Sequence, residues 1–249
     1  MPTKTLILLL LLCGWPTAAW AQTRAGAQQP ESAQEILARA VEAAGGRAAF
    51  QRIRNFRVRT ESVIYQPQTR LKLVVTETVE LPDKTRQVME LTGGERIQVL
   101  NGEKSWKSLN GEISGLSEAE KREMQRGLFR DTIRLFRRQS WDDLNIAYLD
   151  REVLGDQVNH VVQVTQKQGD FFRLYIDSKT YLISKKAYHG APEVGLALLE
   201  EIYSDYRKVD GIKLPFRTEV RANGRKFIES RVLNVEFNLD LPENFFLKP

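Results

Sequence analysis

Long stretches in which apolar and polar residues alternate are the feature that most limits the folds open to this chain. In the clearest example, Leu71, Leu73, Val75, Val79 and Leu81 alternate with Arg70, Lys72, Thr76, Thr78 and Glu80. Similar segments recur from residue 56 onward, separated by tight-turn pairs such as Asn101-Gly102 and Asp210-Gly211. A period of two predicts strands with one buried face, and short turns join antiparallel neighbours. Because strands do not alternate with helices, a doubly wound parallel sheet is disfavoured.

One helix is predicted ahead of the first strand. Ser32-Ala33-Gln34-Glu35 has the spacing of a capping box, in which the serine and glutamate side chains bind each other's backbone N–H groups. Ile36, Leu37, Ala40, Val41 and Ala44 follow at helical spacing. Gly45-Gly46 is expected to end this helix.

A second helix is predicted over residues 117–138, in the middle of the strands. Ser117 and Glu120 form another capping box. Arg122, Arg126, Arg130, Arg134 and Arg138 recur every four residues and cover an arc of about 160° on a helix about 33 Å long. The opposite face carries Met124, Leu128, Phe129, Ile133 and Phe136. Two interpretations stay open: a helix packed on a sheet with solvated arginines, or a lid over an apolar cavity whose arginines meet anionic headgroups or an acidic protein.

The first residues are typical of an export signal. A positive start ending at Lys4, an apolar run over Leu6–Leu12 and Ala19-Trp20-Ala21 predict a signal peptide over 1–21, cleaved after Ala21. Residues 22–31 are expected to be a flexible leader, and residues 32–249 a single domain. Cleavage removes the chain's only cysteine, so disulfides and thiolate sites are excluded.

The charge and the predicted export together indicate the kind of partner. The formal net charge is +5 and the pI about 9.3. For a periplasmic protein this balance favours a membrane surface or an acidic protein over nucleic acid. A monomer is expected.

Motifs for catalysis and cofactor binding are missing from the sequence. Only two histidines occur, His160 and His189, and neither has metal-ligand spacing. No G-x-S-x-G or GxxxxGK[ST] motif is found. The sequence therefore predicts no metal, no cofactor and no enzymatic activity. An enzyme using carboxylates stays open as a rival, and would need two carboxylates that meet inside a cleft.

Three stretches resemble exported proteins of the outer-membrane lipoprotein-sorting, LolA/LolB-like, superfamily. The first is Y-x-D-Y-x-x-V-D-G-I-x-L-P over residues 203–215, and the second is F-N-x-x-L-P-x-x-F over 237–245. The third is n-G-x-x-x-W around Gly102 and Trp106. The resemblance implies an incomplete, strongly curved antiparallel β-barrel with helices plugging its concave side and an apolar cavity for acyl chains. With about 11–12 strands predicted from the alternation, the expected fold class is mainly β with a helical lid.

We therefore expect a non-enzymatic periplasmic carrier or sensor of lipid or of acylated proteins, acting in transport and outer-membrane biogenesis. The predicted cavity residues are Leu71, Leu73, Val75, Leu174, Ile176, Leu196 and Leu198. Burying a twelve-carbon chain there would contribute on the order of 9 kcal/mol, at about 0.8 kcal/mol per CH₂, before binding costs. The alternative is a structural or protein-interaction module of the same fold, with a filled core and no lipid cargo.

Overall fold

The computed structural model describes residues 31–190 and 196–249, as four helices and thirteen strands. The predicted signal peptide and residues 22–30 of the leader lie outside the described residues. The helices are α1 Ala33–Ala43, α2 Arg47–Gln51, α3 Glu118–Arg130 and α4 Thr132–Arg137. The strands are β1 Asn55–Tyr65, β2 Arg70–Glu80, β3 Lys84–Leu91, β4 Gly94–Leu100, β5 Trp106–Leu109, β6 Glu112–Gly115, β7 Leu144–Leu154, β8 Gln157–Gln166, β9 Phe171–Asp177, β10 Ile183–Gly190, β11 Ala197–Val209, β12 Ile212–Ala222 and β13 Arg225–Phe237.

All thirteen strands form one antiparallel sheet that curves into a half-open barrel and does not close. The order is β6-β5-β4-β3-β2-β1-β13-β12-β11-β10-β9-β8-β7. β1 and β13 pair near the centre, with Phe56 opposite Phe237 and Ile64 opposite Ile228. Each half then meanders outward to a free edge. The predicted fold class is confirmed, and the short β5–β6 hairpin brings the strands to thirteen.

The helices pack on one face of the sheet, which is the concave face. Ile36, Leu37 and Val41 of α1 are fully buried in the main core together with Val162 and Val164 of β8. The predicted capping box at Ser32 is present, since the Glu35 backbone N–H donates to Ser32 Oγ at 3.2 Å.

The turn after α1 brings the chain against the start of β12. Gly45 has a φ of 134°, and a Cβ there would lie 2.6 Å from the carbonyl oxygen of Gly211. The Lys213 backbone N–H donates to the carbonyl oxygen of Ala44 at 2.7 Å. Glycine is needed here both for its backbone conformation and for the close approach.

The prediction of one continuous helix over 117–138 is wrong. The helix breaks at Asp131, whose ψ of 125° is extended. The Asp131 carboxylate caps α4 by accepting from the Arg134 backbone N–H at 2.6 Å. Lys186 Nζ donates to the Arg130 carbonyl oxygen at 3.1 Å, which takes the place of the lost helical partner. Gly127, within α3, is not a point of close approach to another backbone, because a Cβ there would meet nothing within 4 Å.

The segment after β13 crosses the opposite face of the sheet. Val99, Trp106 and Phe246 form a separate apolar cluster there, and Trp106 Nε1 donates to the Phe246 carbonyl oxygen at 3.3 Å. Within the described ranges, no helix has the length and apolar composition needed to cross a bilayer.

Candidate functional site

An apolar cavity of about 250 Å³ lies between the helices and the concave face of the sheet. Its apolar lining includes Phe50, Phe56, Val58, Val75, Ile133 and Phe136. Pockets for drug-sized ligands usually measure about 300–1,000 Å³, whereas an apolar cavity of about 150 Å³ already holds benzene. This cavity therefore has room for part of an acyl chain.

A buried ion pair forms one wall of the cavity region. Lys186 Nζ lies 3.1 Å from Glu201 Oε2, and the Tyr188 hydroxyl donates to Glu201 Oε1 at 2.7 Å. The Tyr203 hydroxyl donates to the same carboxylate. Burial opposes ionisation of Glu201, but Lys186 and the two tyrosines together hold the pKa of its carboxyl below the ordinary value. The positive charge of Lys186 is therefore balanced by Glu201 within this wall.

Two further carboxylates, Asp131 and Glu77, line the same cavity. Burial raises the pKa of Asp131 to about 6, opposed by its hydrogen bond from Arg134 and assisted by the charge of Glu77. A carboxylate pair in a cleft is what the enzymatic alternative requires. Both groups are nevertheless engaged in holding the fold: Asp131 caps α4, and Glu77 Oε1 accepts from Gln87 Nε2 at 2.9 Å. Their contacts favour a structural role.

A second hollow, a groove of about 570 Å³, lies beneath α3. Met124 and Leu128 of α3 line it, but the sheet contributes polar side chains. Glu77, Gln87, Gln98 and Lys107 stand directly opposite one another on β2, β3, β4 and β5. This polar row is not apparent from the sequence, because its members become neighbours only once the strand register is known.

Four of the seven predicted cavity residues lie on the concave face without lining the cavity itself. Val75 lines the cavity, and Leu71 and Leu73 lie on the same face of β2 as Val75. Leu174 and Ile176 are completely buried in the main core.

The prediction is wrong for the remaining two residues, Leu196 and Leu198. They are 76% and 38% exposed, whereas Ala197 and Leu199 are buried. The cause is the phase of β11: residues with the opposite parity point toward the helices.

The five residues predicted as the apolar face of the central helix all turn toward the sheet, but at three different places. Ile133 and Phe136 of α4 line the cavity. Met124 and Leu128 of α3 line the groove. Phe129 packs edge-on against Phe172, with 5.1 Å between ring centroids.

The arginine row is not a uniform cationic surface. Arg122 is exposed. Arg126 Nε lies 3.0 Å from an Asp170 carboxylate oxygen, and Arg138 pairs with Asp143. Burial and the neighbouring Arg138 lower the pKa of Arg134.

Arg130 corrects the prediction most clearly. It is only 9% exposed, pairs with Glu123 at 2.7 Å and stacks over the Tyr188 ring at 4.0 Å. It is a buried, ion-paired residue of the helix junction, so it is not part of an exposed cationic surface.

The half-open barrel and its helical cover, with an apolar cavity between them, define a LolA-like fold. A LolA superfamily protein from Nitrosomonas europaea superposes with a TM-score of 0.60 at 15% identity, covering 88% of this chain and 99% of that one. A DUF1329 family protein from Desulfovibrio piger gives 0.60 at 11% identity, over 87% and 98% of the two chains. A putative outer membrane lipoprotein-sorting protein domain from Vibrio parahaemolyticus gives 0.54 at 13% identity, over 83% and 95%. No family model and no curated protein matches the sequence.

Proposed function

We propose that the protein is a non-enzymatic periplasmic carrier or sensor that binds lipid, or the acyl chains of lipoproteins, in the cavity beneath α4. The observation that supports this most is an apolar cavity of about 250 Å³ on the concave side of a LolA-like fold. Each CH₂ buried there contributes about 0.8 kcal/mol. Export after cleavage at Ala21 places the protein where such cargo occurs.

α4 is the part of the cover that a longer chain would displace. It has only six residues and contributes Ile133 and Phe136 to the lining. The extended backbone of Asp131 separates it from α3. A chain longer than the cavity therefore enters by moving a short helix rather than by opening the sheet.

The test combines lipid identification with one substitution that fills the cavity. The protein is purified from a periplasmic extract, examined by native mass spectrometry, and titrated with a fluorescent fatty acid. Val75→Phe fills the cavity and is expected to weaken uptake at least about tenfold. Leu198→Phe adds a ring to the opposite face of the sheet and is expected to leave fatty-acid uptake unchanged. Absence of both co-purified lipid and fatty-acid uptake, or wild-type uptake by Val75→Phe, would overturn the proposal.

A second candidate is a structural or protein-interaction module with the same fold and no cargo. The complete burial of Phe172, Leu174 and Ile176 in the main core favours it, because this part of the concave side is already filled by side chains. The same titration separates the candidates, since a module of this kind takes up no fatty acid.

A further inference from the structure

The groove beneath α3 and the apolar cavity beneath α4 adjoin each other on the concave face. Glu77 lines both of them. Arg130 lines the groove and the next residue, Asp131, lines the cavity. A molecule that reaches past Glu77 at the α3–α4 break therefore contacts both hollows at once.

The floor of the groove is built for hydrogen bonding. In the row across β2–β5, Gln87 and Gln98 are paired residues, and each amide both donates and accepts. Gln98 is only 8% exposed. The Gln87 amide already donates to Glu77 at 2.9 Å. Covering amides is costly wherever a partner is missing, so a face that only packed against a helix would carry apolar side chains here.

The charges around the groove are largely paired within the protein. Lys107 Nζ lies 2.8 Å from Glu120, and Arg130 pairs with Glu123 at 2.7 Å. Burial opposes ionisation of Glu120, but hydrogen bonds from Lys107 and Ser117 lower its pKa to about 2, so it remains an anion. Arg96 and Arg126, which also line the groove, lie 3.9 Å from Glu120 and 3.0 Å from Asp170, whereas Arg122 is exposed. The groove therefore offers amides and carboxylate oxygens, and most of its positive charge is matched by carboxylates.

We propose that this groove binds an uncharged, hydroxyl-rich head group, such as a sugar, of an amphiphile whose acyl chain occupies the cavity. The inference rests on the proposed lipid-binding function and names the class of cargo. Hydroxyl groups of the head exchange hydrogen bonds with Gln87, Gln98 and Glu77. The C–H face of the head packs on Met124 and Leu128 above.

The test compares three amphiphiles that share a twelve-carbon chain and differ in their heads. Dodecyl maltoside, dodecanoate and dodecyl phosphate are titrated below their micelle concentrations into the full chain by calorimetry. We expect dodecyl maltoside to bind at least about tenfold more tightly than either anionic probe. Gln98→Leu is expected to remove that preference and to leave dodecanoate affinity within about twofold. Gln163→Leu, on the opposite face of β8, is the matched control and is expected to change neither value.

The outcomes separate this inference from the proposed function. Binding of dodecanoate with no preference for the maltoside, tighter binding of the phosphate, or an unchanged preference in Gln98→Leu overturns the head-group site alone. No binding of any probe overturns both proposals. If circular dichroism shows that Gln98→Leu is misfolded, Gln98→Ser removes the amide without adding an apolar side chain, and the same criteria apply.

Discussion

Asp131 shows how much one residue contributes to this site. Its extended backbone breaks the central helix, its carboxylate caps α4, and its side chain lines the cavity beside Glu77. Lys186 and Arg134 face it with opposite charge, yet burial dominates and raises its pKa to about 6 from an ordinary 3.8. At neutral pH, α4 is therefore capped by an ionised Asp131 carboxylate whose buried surroundings favour the neutral acid.

The raised pKa gives a pH dependence with a definite sign. Folded protein binds the Asp131 proton more tightly than unfolded protein, so its stabilising effect is complete below pH 3.8 and is lost as the pH rises through about 6. Asp131→Asn keeps an acceptor for Arg134 without the charge. It is expected to raise the free energy of unfolding at pH 7 by on the order of 2 kcal/mol and to flatten its dependence between pH 4 and 6. Urea titrations at a series of pH values measure both effects.

Asp143→Asn is the control for this prediction. The pKa of Asp143 is lowered by its hydrogen bond from Arg138, so removing its charge should not stabilise the protein at neutral pH. An Asp131→Asn variant that keeps the wild-type pH profile would contradict the argument.

At the scale of elements, the sequence predicts features that depend on neighbouring residues. It does not predict features that depend on partners far apart in the chain. Ser117 and Glu120 located the start of the central helix, because a capping box is contained in four residues. The break at Asp131 was missed, because Lys186, which binds the freed carbonyl group, lies on β10. The face of β11 was misassigned for Leu198, because both faces of that segment carry leucine and only register decides between them.

The junction between the central helices and the sheet depends on the Lys186–Glu201 pair. Lys186→Met leaves Glu201 buried without its cation and the Arg130 carbonyl without its donor, so we expect a loss of about 3–5 kcal/mol in the free energy of unfolding. Lys185→Met is the matched neighbour on the other face, where one of the two carboxylate partners, Glu152, is about half exposed. Lys185→Met is therefore expected to lower the free energy of unfolding by less than Lys186→Met. Urea unfolding measures both, and equal losses would argue against a special role for the junction.

A double substitution tests the cause of that loss. Glu201→Gln in the Lys186→Met background removes the unpaired buried charge, so it should recover part of the lost stability. No recovery would indicate that packing of the lysine, rather than its charge, stabilises the junction.

For the whole molecule, the strand order and the concave cavity follow from a meander that the sequence predicts in outline. Alternation and turns specify antiparallel strands, but not that β1 and β13 are neighbours. That pairing joins the two halves of the curved sheet, and α1, α2 and α4 line the cavity on its concave face. The polar row beneath α3 has the same origin, since its four residues come from four different strands.

The segment after β13 stabilises the sheet from the face opposite the cavity. Phe246 is 4% exposed against Val99 and Trp106. Phe246→Ala is expected to lower the free energy of unfolding by about 3–4 kcal/mol, while fatty-acid uptake by the folded protein stays at the wild-type level. Leu247→Ala, at a residue 38% exposed, should have a much smaller effect. Loss of uptake in folded Phe246→Ala would show that the two faces are coupled.

The central pairing of the first strand with the last also governs how the protein folds. Phe56 cannot meet Phe237 until almost the entire chain is available, and contacts of such large sequence separation slow folding. Until they form, each half-sheet carries an unsatisfied edge strand that can pair with another polypeptide instead. We therefore expect the pairing of β1 with β13 to be the slow step of folding, and these two strands to be the ones through which a newly made chain aggregates.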